Sequence, residues 1–80
     1  MNETEERLAI CFKSTLPELS LADIPKANPD SVPGWDSVTT VTLLAVIEEE
    51  FGTIITIEDV GSDFSFQGIL TCIKNRQVAG

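Results

Sequence analysis

The 80-residue chain carries thirteen acidic side chains against five basic ones, a formal charge of -8 and a pI near 4.1. Nucleic-acid backbones and anionic membrane surfaces are gripped by Lys and Arg, so neither is an expected partner; a basic protein surface, met by electrostatic steering and released by salt, is. With no His and no Tyr, the commonest general base is missing, a His-bearing metal site is impossible, and two cysteines are too few for a structural zinc site.

The length is one domain's worth of chain, expected to fold as a single unit over residues 1–80. An apolar fraction of 42% supports a small core, although a chain this short buries only about 60% of its unfolded surface. No apolar run approaches the ~18 residues of a membrane helix, and the charged start Glu3-Thr4-Glu5-Glu6 is no signal peptide. A cytoplasmic, monomeric protein is expected, and Cys11 and Cys72, both on predicted apolar helix faces, are read as buried free thiols.

The first helix is predicted over residues 3–15. Asn2 is its N-cap, acids fill its first turn, and Leu8, Cys11, Phe12 and Thr15 make its apolar stripe. Pro17 stops it. All four prolines then fall between Pro17 and Trp35. So long a connection inside one domain is usually functional or disordered. Leu19, Leu21 and Ile24 are expected to tack it onto the core as an ordered loop.

The central helix is predicted over 37–51 and ends at Gly52, a natural left-handed stop. Leu43, Leu44, Ile47 and Phe51 share its core face, while Val38, Val41 and Ala45 form an apolar shoulder beside it. That surplus width serves either further packing or a partner. Residues 53–57 alternate like a strand but have nothing to pair with, so an extended loop anchored by its isoleucines is expected. Thr56 and Asp59 cap a single helical turn over 57–60. The last helix is predicted over 65–76, with Phe66, Ile69, Leu70 and Ile73 inward and Lys74 and Arg76 at its C-terminus. The fold class is therefore all-α: a four-helix bundle of three principal helices and one short third helix, with a long loop between helices one and two.

One constellation carries functional information: Gly34-Trp35-Asp36-Ser37-Val38, where the long loop meets the central helix. Asp or Ser before an apolar-periodic run is how helices ordinarily begin, and either residue serves as N-cap. If Ser37 were that cap, Thr40 would stand where a capping box wants Glu or Gln. Ser37 is no hydrolase nucleophile, because there is no His to activate it. Trp35 either covers the core or packs beside whatever Ser37 carries.

Asp36-Ser37-Val38, then a mostly apolar helix, then Glu48-Glu49-Glu50-Phe51-Gly52 resembles the acyl carrier proteins. In that family Asp-Ser-Leu opens the second helix and a Glu-rich turn with Phe and Gly closes it. Ile57-Glu58-Asp59-Val60 is similar to the family's short third helix, so the resemblance covers essentially the whole chain. It implies that Ser37 is the attachment point of a 4′-phosphopantetheine arm taken from coenzyme A, and that the arm's thiol holds an acyl group as a thioester. It further implies that Asp36 helps a phosphopantetheinyl transferase recognise the site. The chain is then a carrier and not an enzyme. Its partners are that transferase, an acyl-loading ligase or acyltransferase, and downstream synthase enzymes with basic docking patches. Val38, Thr39, Val41, Thr42, Ala45, Glu48 and Glu49 are the expected docking face.

Carriers of fatty-acid synthesis usually place acids where this chain has Thr39 and Thr42, and Leu where it has Val38. Each lost exposed ion pair is worth up to about 1 kcal/mol. A specialised biosynthetic pathway is the expectation. The alternatives are an unmodified acidic adaptor, with Ser37 only a helix-opening residue, and a peptidyl or aminoacyl carrier, whose branch usually has a second Gly and often His before the serine. Glu48-Glu49-Glu50 is read as a recognition surface for basic enzymes. Glu58, Asp59 and Asp63 match no calcium loop and are read as a solvated patch.

Overall fold

In the computed structural model, which describes residues 2–61 and 64–79, Asn2 opens α1 (Glu3–Thr15). Its Oδ1 accepts the Glu5 N–H at 2.9 Å, and Glu3, Glu5 and Glu6 fill the first turn, where the helix dipole favours anions. Leu8, Cys11 and Phe12 are buried as their spacing predicts, with Ala9 beside them. Thr15 is only half-buried and returns its hydroxyl to Cys11 O at 3.0 Å.

The connection from 16 to 36 is ordered because its backbone polar groups find partners. Lys13 Nζ donates to Pro17 O and Leu19 O at 2.9 and 2.6 Å, which folds the chain back against the end of α1. A 3-10 turn, Ile24–Lys26, follows, and Asn28 Oδ1 accepts the Asp30 and Ser31 N–H groups in an Asx turn. Ile24 is fully buried and Leu19 packs partly against the core, but Leu21 is 66% exposed and anchors nothing. The better anchors are Ala27, Val32 and Trp35, all buried.

The second helix, α2, spans Ser37–Phe51 and stops at Gly52, whose φ of +67° is left-handed and whose N–H reaches Glu48 O. Of its core face, Leu43 and Ile47 are fully buried, whereas Leu44 and Phe51 are half-buried. Residues 53–56 form no strand; Ile55 is buried, but Ile54 and Ile57 are exposed, so one isoleucine and not three anchors this segment. A full capping box between Thr56 and Asp59 then opens α3 (Ile57–Val60).

Last comes α4, Phe66–Ala79, three residues longer at its C-terminus than its sequence pattern predicts. Ser65 Oγ accepts the Gly68 N–H at its start, and Phe66 N–H donates to Ala27 O at 3.0 Å, tying the helix opening to the long loop. Phe66, Ile69, Leu70 and Ile73 are buried as expected. Arg76 sits in the last turn but pairs with Asp59 of α3 at 2.7 Å. Cys72 is half-buried rather than buried.

Among the described residues the architecture is thus four helices and no strand, an all-α bundle. The α2 helix packs on α1, while α4 lies against α1, α3 and the 3-10 turn. One apolar cluster joins all three long helices with Ile24, Ala27, Val32, Trp35 and Ile55, and no described polar side chain is buried. At its centre the Phe12 ring meets Trp35 edge-on at 5.4 Å and Phe66 at 5.2 Å. Replacing Phe12 by Ala removes both contacts and leaves a cavity. Urea unfolding should show about 3–5 kcal/mol lost, a large share of the about 5–15 kcal/mol total for a domain.

Candidate functional site

The opening of α2 is shaped from the loop side. Gly34 takes a φ of +86°, which turns the chain after Pro33. Trp35 then drops into the core at 5% exposure, stacked edge-on against Phe12 and, at 6.3 Å, Phe64. Its Nε1–H donates to Thr40 Oγ1 at 3.0 Å, one turn into α2. The indole is therefore a core cover with one polar handle tied to the helix it precedes. Chain direction at residues 36 and 37 follows from that anchor.

The N-cap is Asp36, not Ser37. Asp36 is extended at φ −104° and ψ −172°, and its Oδ1 accepts the Thr39 N–H at 2.9 Å. Ser37 occupies the first helical position, exposed, and its hydroxyl has no hydrogen-bond partner among the described residues. Thr40, where a Ser37 cap would want an acid, instead serves Trp35. The amide hydrogen bond from Thr39 holds the Asp36 carboxyl below its ordinary value of 3.8, with the Val38 N–H adding to it. At neutral pH the site is thus an anionic cap beside a free hydroxyl at a helix N-terminus.

From there an exposed stripe runs down α2. Val38 is 75% and Val41 62% exposed, and Thr42, Ala45, Glu48 and Glu49 continue the stripe in the open. The apolar shoulder read from the sequence is therefore surface and not core. Thr39 stands apart from it: half-buried, with its hydroxyl donated to Gly34 O at 2.9 Å, it braces the loop. The stripe contains no basic residue, since α2 has none.

Glu50 does not belong with Glu48 and Glu49. Arg7 Nε pairs with its carboxylate at 2.7 Å, Arg7 Nη2 donates to Glu50 O at 2.6 Å, and the guanidinium lies 4.5 Å from the Phe51 ring centroid. One α1 side chain thereby satisfies a terminal carbonyl of α2 and offsets the acid that opposes the helix dipole. No described basic group pairs with Glu48 or Glu49, so their charge stays open to a partner. The Arg7–Glu50 contact spans 43 residues of sequence and left no local signal.

The remaining acids and thiols have other work. Asp59 closes the α3 capping box and pairs with Arg76, so it is structural; Thr56 hydrogen bonds, then Arg76, hold its carboxyl low. Asp63, read with it as part of a solvated patch, lies outside the described residues. Burial, then the Glu50 carboxylate, pushes the Cys11 thiol from 9.0 up to about 11, which leaves it unreactive at neutral pH. No described helix is long and apolar enough to cross a membrane. No family model, curated protein or solved structure matches the chain.

The cap has a pH signature. Because folded Asp36 has the lower pKa, its stabilising contribution is whole above the unfolded value and is lost as pH falls through the folded one. Asp36→Asn keeps a cap oxygen but has no charge to lose. Its urea midpoint, followed from about pH 5 downward, should fall less steeply than that of the wild type, and the difference between the two curves isolates Asp36.

Proposed function

We propose that this protein is an acyl carrier. Ser37 takes a 4′-phosphopantetheine from coenzyme A and presents the thioester on that arm to enzymes with basic docking surfaces. The observation that carries the reading is the division of labour at the opening of α2. Asp36 supplies the helix cap, so the Ser37 hydroxyl is left exposed and unpartnered beside it. In the loading step the Ser37 oxygen attacks the β-phosphorus of coenzyme A. The pyrophosphate P–O bond breaks, adenosine 3′,5′-bisphosphate leaves, and the hydroxyl proton passes to a base on the transferase. The carrier needs no base of its own, and it has no His. A phosphodiester formed there lies at the positive end of the α2 dipole.

The exposed stripe supports the docking role. Val38, Val41 and Ala45 offer apolar area, and the unpaired Glu48 and Glu49 offer charge at the far end of the same helix. Thr42 and the half-buried Thr39 leave the upper helix uncharged, which suits enzymes other than those of general fatty-acid synthesis. The tether's role is to raise the effective concentration of a bound intermediate for the enzymes that dock. An unmodified adaptor would use the same stripe and leave Ser37 bare.

Intact mass after incubation with coenzyme A and a broad-specificity phosphopantetheinyl transferase separates these readings. The expected result is one phosphopantetheine on the wild type and none on Ser37→Ala. A chain that several transferases leave unmodified is the adaptor. Val41→Asp should raise the transferase KM several-fold and leave stability within about 0.5 kcal/mol. Unfolding of that variant would instead make Val41 a packing residue.

A further inference from the structure

Among the described residues, the large aliphatic side chains left most exposed are Ile10, Leu21, Val38, Val41, Ile54 and Ile57. Four of these six lie between residues 38 and 57, on α2 and on the segment that leads from it into α3. Val38 and Val41 belong to the stripe already described, whereas Ile54 and Ile57, 62% and 54% exposed, extend beyond it. Neither isoleucine anchors the core, and the α3 capping box is made by Thr56 and Asp59 without them. Large apolar side chains grouped in water on a small acidic domain mark a contact surface.

Helix geometry sets these two apolar groups at either end of one face. At about 100° per residue, positions 38, 41, 45, 48, 49 and 52 fall within an arc of about 100° on α2. The last of them is Gly52, the left-handed residue at which the chain leaves the helix. The segment 53–57 therefore departs from the face of the stripe itself. Ile54, two Cα steps of ~3.8 Å further on, lies within about 8 Å of Gly52, and Ile57 within about 11 Å of Ile54. Glu48 and Glu49 stand between this pair and the two valines, with no described cation engaging them. The outer pair is also held still. Ile55 is buried between them, the capping box fixes the start of α3, and Asp59–Arg76 ties α3 to α4. A rigid patch gives up little conformational freedom on binding.

We propose that Ile54 and Ile57 are a second apolar anchor of the docking surface, and that the surface fits an enzyme carrying a pair of cationic side chains flanked on both sides by apolar ones. The inference rests on the carrier reading and names the partner chemistry that goes with it. A second copy of this chain is a poor occupant, because it brings the same unpaired acids and a formal charge of -8 to the contact. An anionic lipid surface is repelled in the same way. An enzyme with an unbroken basic stripe is matched only in part, since α2 offers it no acid before Glu48.

The test titrates the 15N-labelled wild type with a broad-specificity phosphopantetheinyl transferase in the absence of coenzyme A, so that docking is seen without loading. Loading kinetics with coenzyme A are then compared for the wild type, Ile54→Ser/Ile57→Ser and Glu48→Gln/Glu49→Gln. Expected are amide shift changes at residues 53–58 as well as 37–49, and a KM raised several-fold in both double variants with kcat little changed. The KM of Ile54→Ser/Ile57→Ser should keep the wild-type salt dependence, whereas that of Glu48→Gln/Glu49→Gln should lose most of it. Shift changes confined to 37–49, with an unchanged KM for Ile54→Ser/Ile57→Ser and a wild type that loads, overturn the second anchor and leave the carrier intact. A wild type that neither loads nor shifts overturns the carrier reading and this partner with it. A wild type that sediments as a dimer, made monomeric by Ile54→Ser/Ile57→Ser, gives the patch to a second copy and overturns the proposal. The wild-type shift map decides the matter even where the serine variant is too unstable to use.

Discussion

Phe12 is where three distant parts of the chain meet. Its ring sits on α1, Trp35 reaches it edge-on from the end of the long loop, and Phe66 from the first turn of α4. Edge-to-face contacts add about 0.5–1.5 kcal/mol each beyond burial of area. Their larger effect is geometric. A loop of some twenty residues containing four prolines would otherwise leave the opening of α2 free to swing. Trp35 ends that freedom, and its bond to Thr40 carries the constraint one turn into the helix that begins with Ser37.

Charge is distributed with the same economy. Of five basic residues, Arg7 holds the far end of α2 to α1, Arg76 joins α4 to α3, and Lys13 folds the loop onto α1. None stands on α2. The exposed ion pairs are worth little individually, but they occupy Arg7 and Arg76 and leave Glu48 and Glu49 uncompensated. An acidic, apolar-striped helix with a bare serine at its head is what the proposed docking and attachment would use.

The local rules of helix formation made much of the fold legible. Asn2, Gly52, Thr56 and the apolar spacings of α1 and α4 place elements whose ends depend on nearest neighbours in sequence, and α1, α2 and α3 begin and end where those rules put them. Loops obey no such period. Leu21 and Ile57 look like anchors by composition and are exposed, while Ala27 and Val32 are buried because the backbone's path, and not side-chain type, brings them to the core. At the site, the sequence alone leaves open whether Asp36 or Ser37 is the cap. In the structure the cap is Asp36, extended directly after the buried Trp35, with its carboxylate on the Thr39 N–H.

What the sequence determined alone is therefore what acts over a turn or two of helix: element boundaries, inward stripes, acidity and the Asp36-Ser37 pair at a helix start. Only the tertiary structure decided that Val38 and Val41 face outward and that Glu50 is spent on Arg7 while Glu48 and Glu49 are not. Those outcomes depend on contacts between segments tens of residues apart, which are selected by the packing of one shared core and leave no periodic trace in the chain.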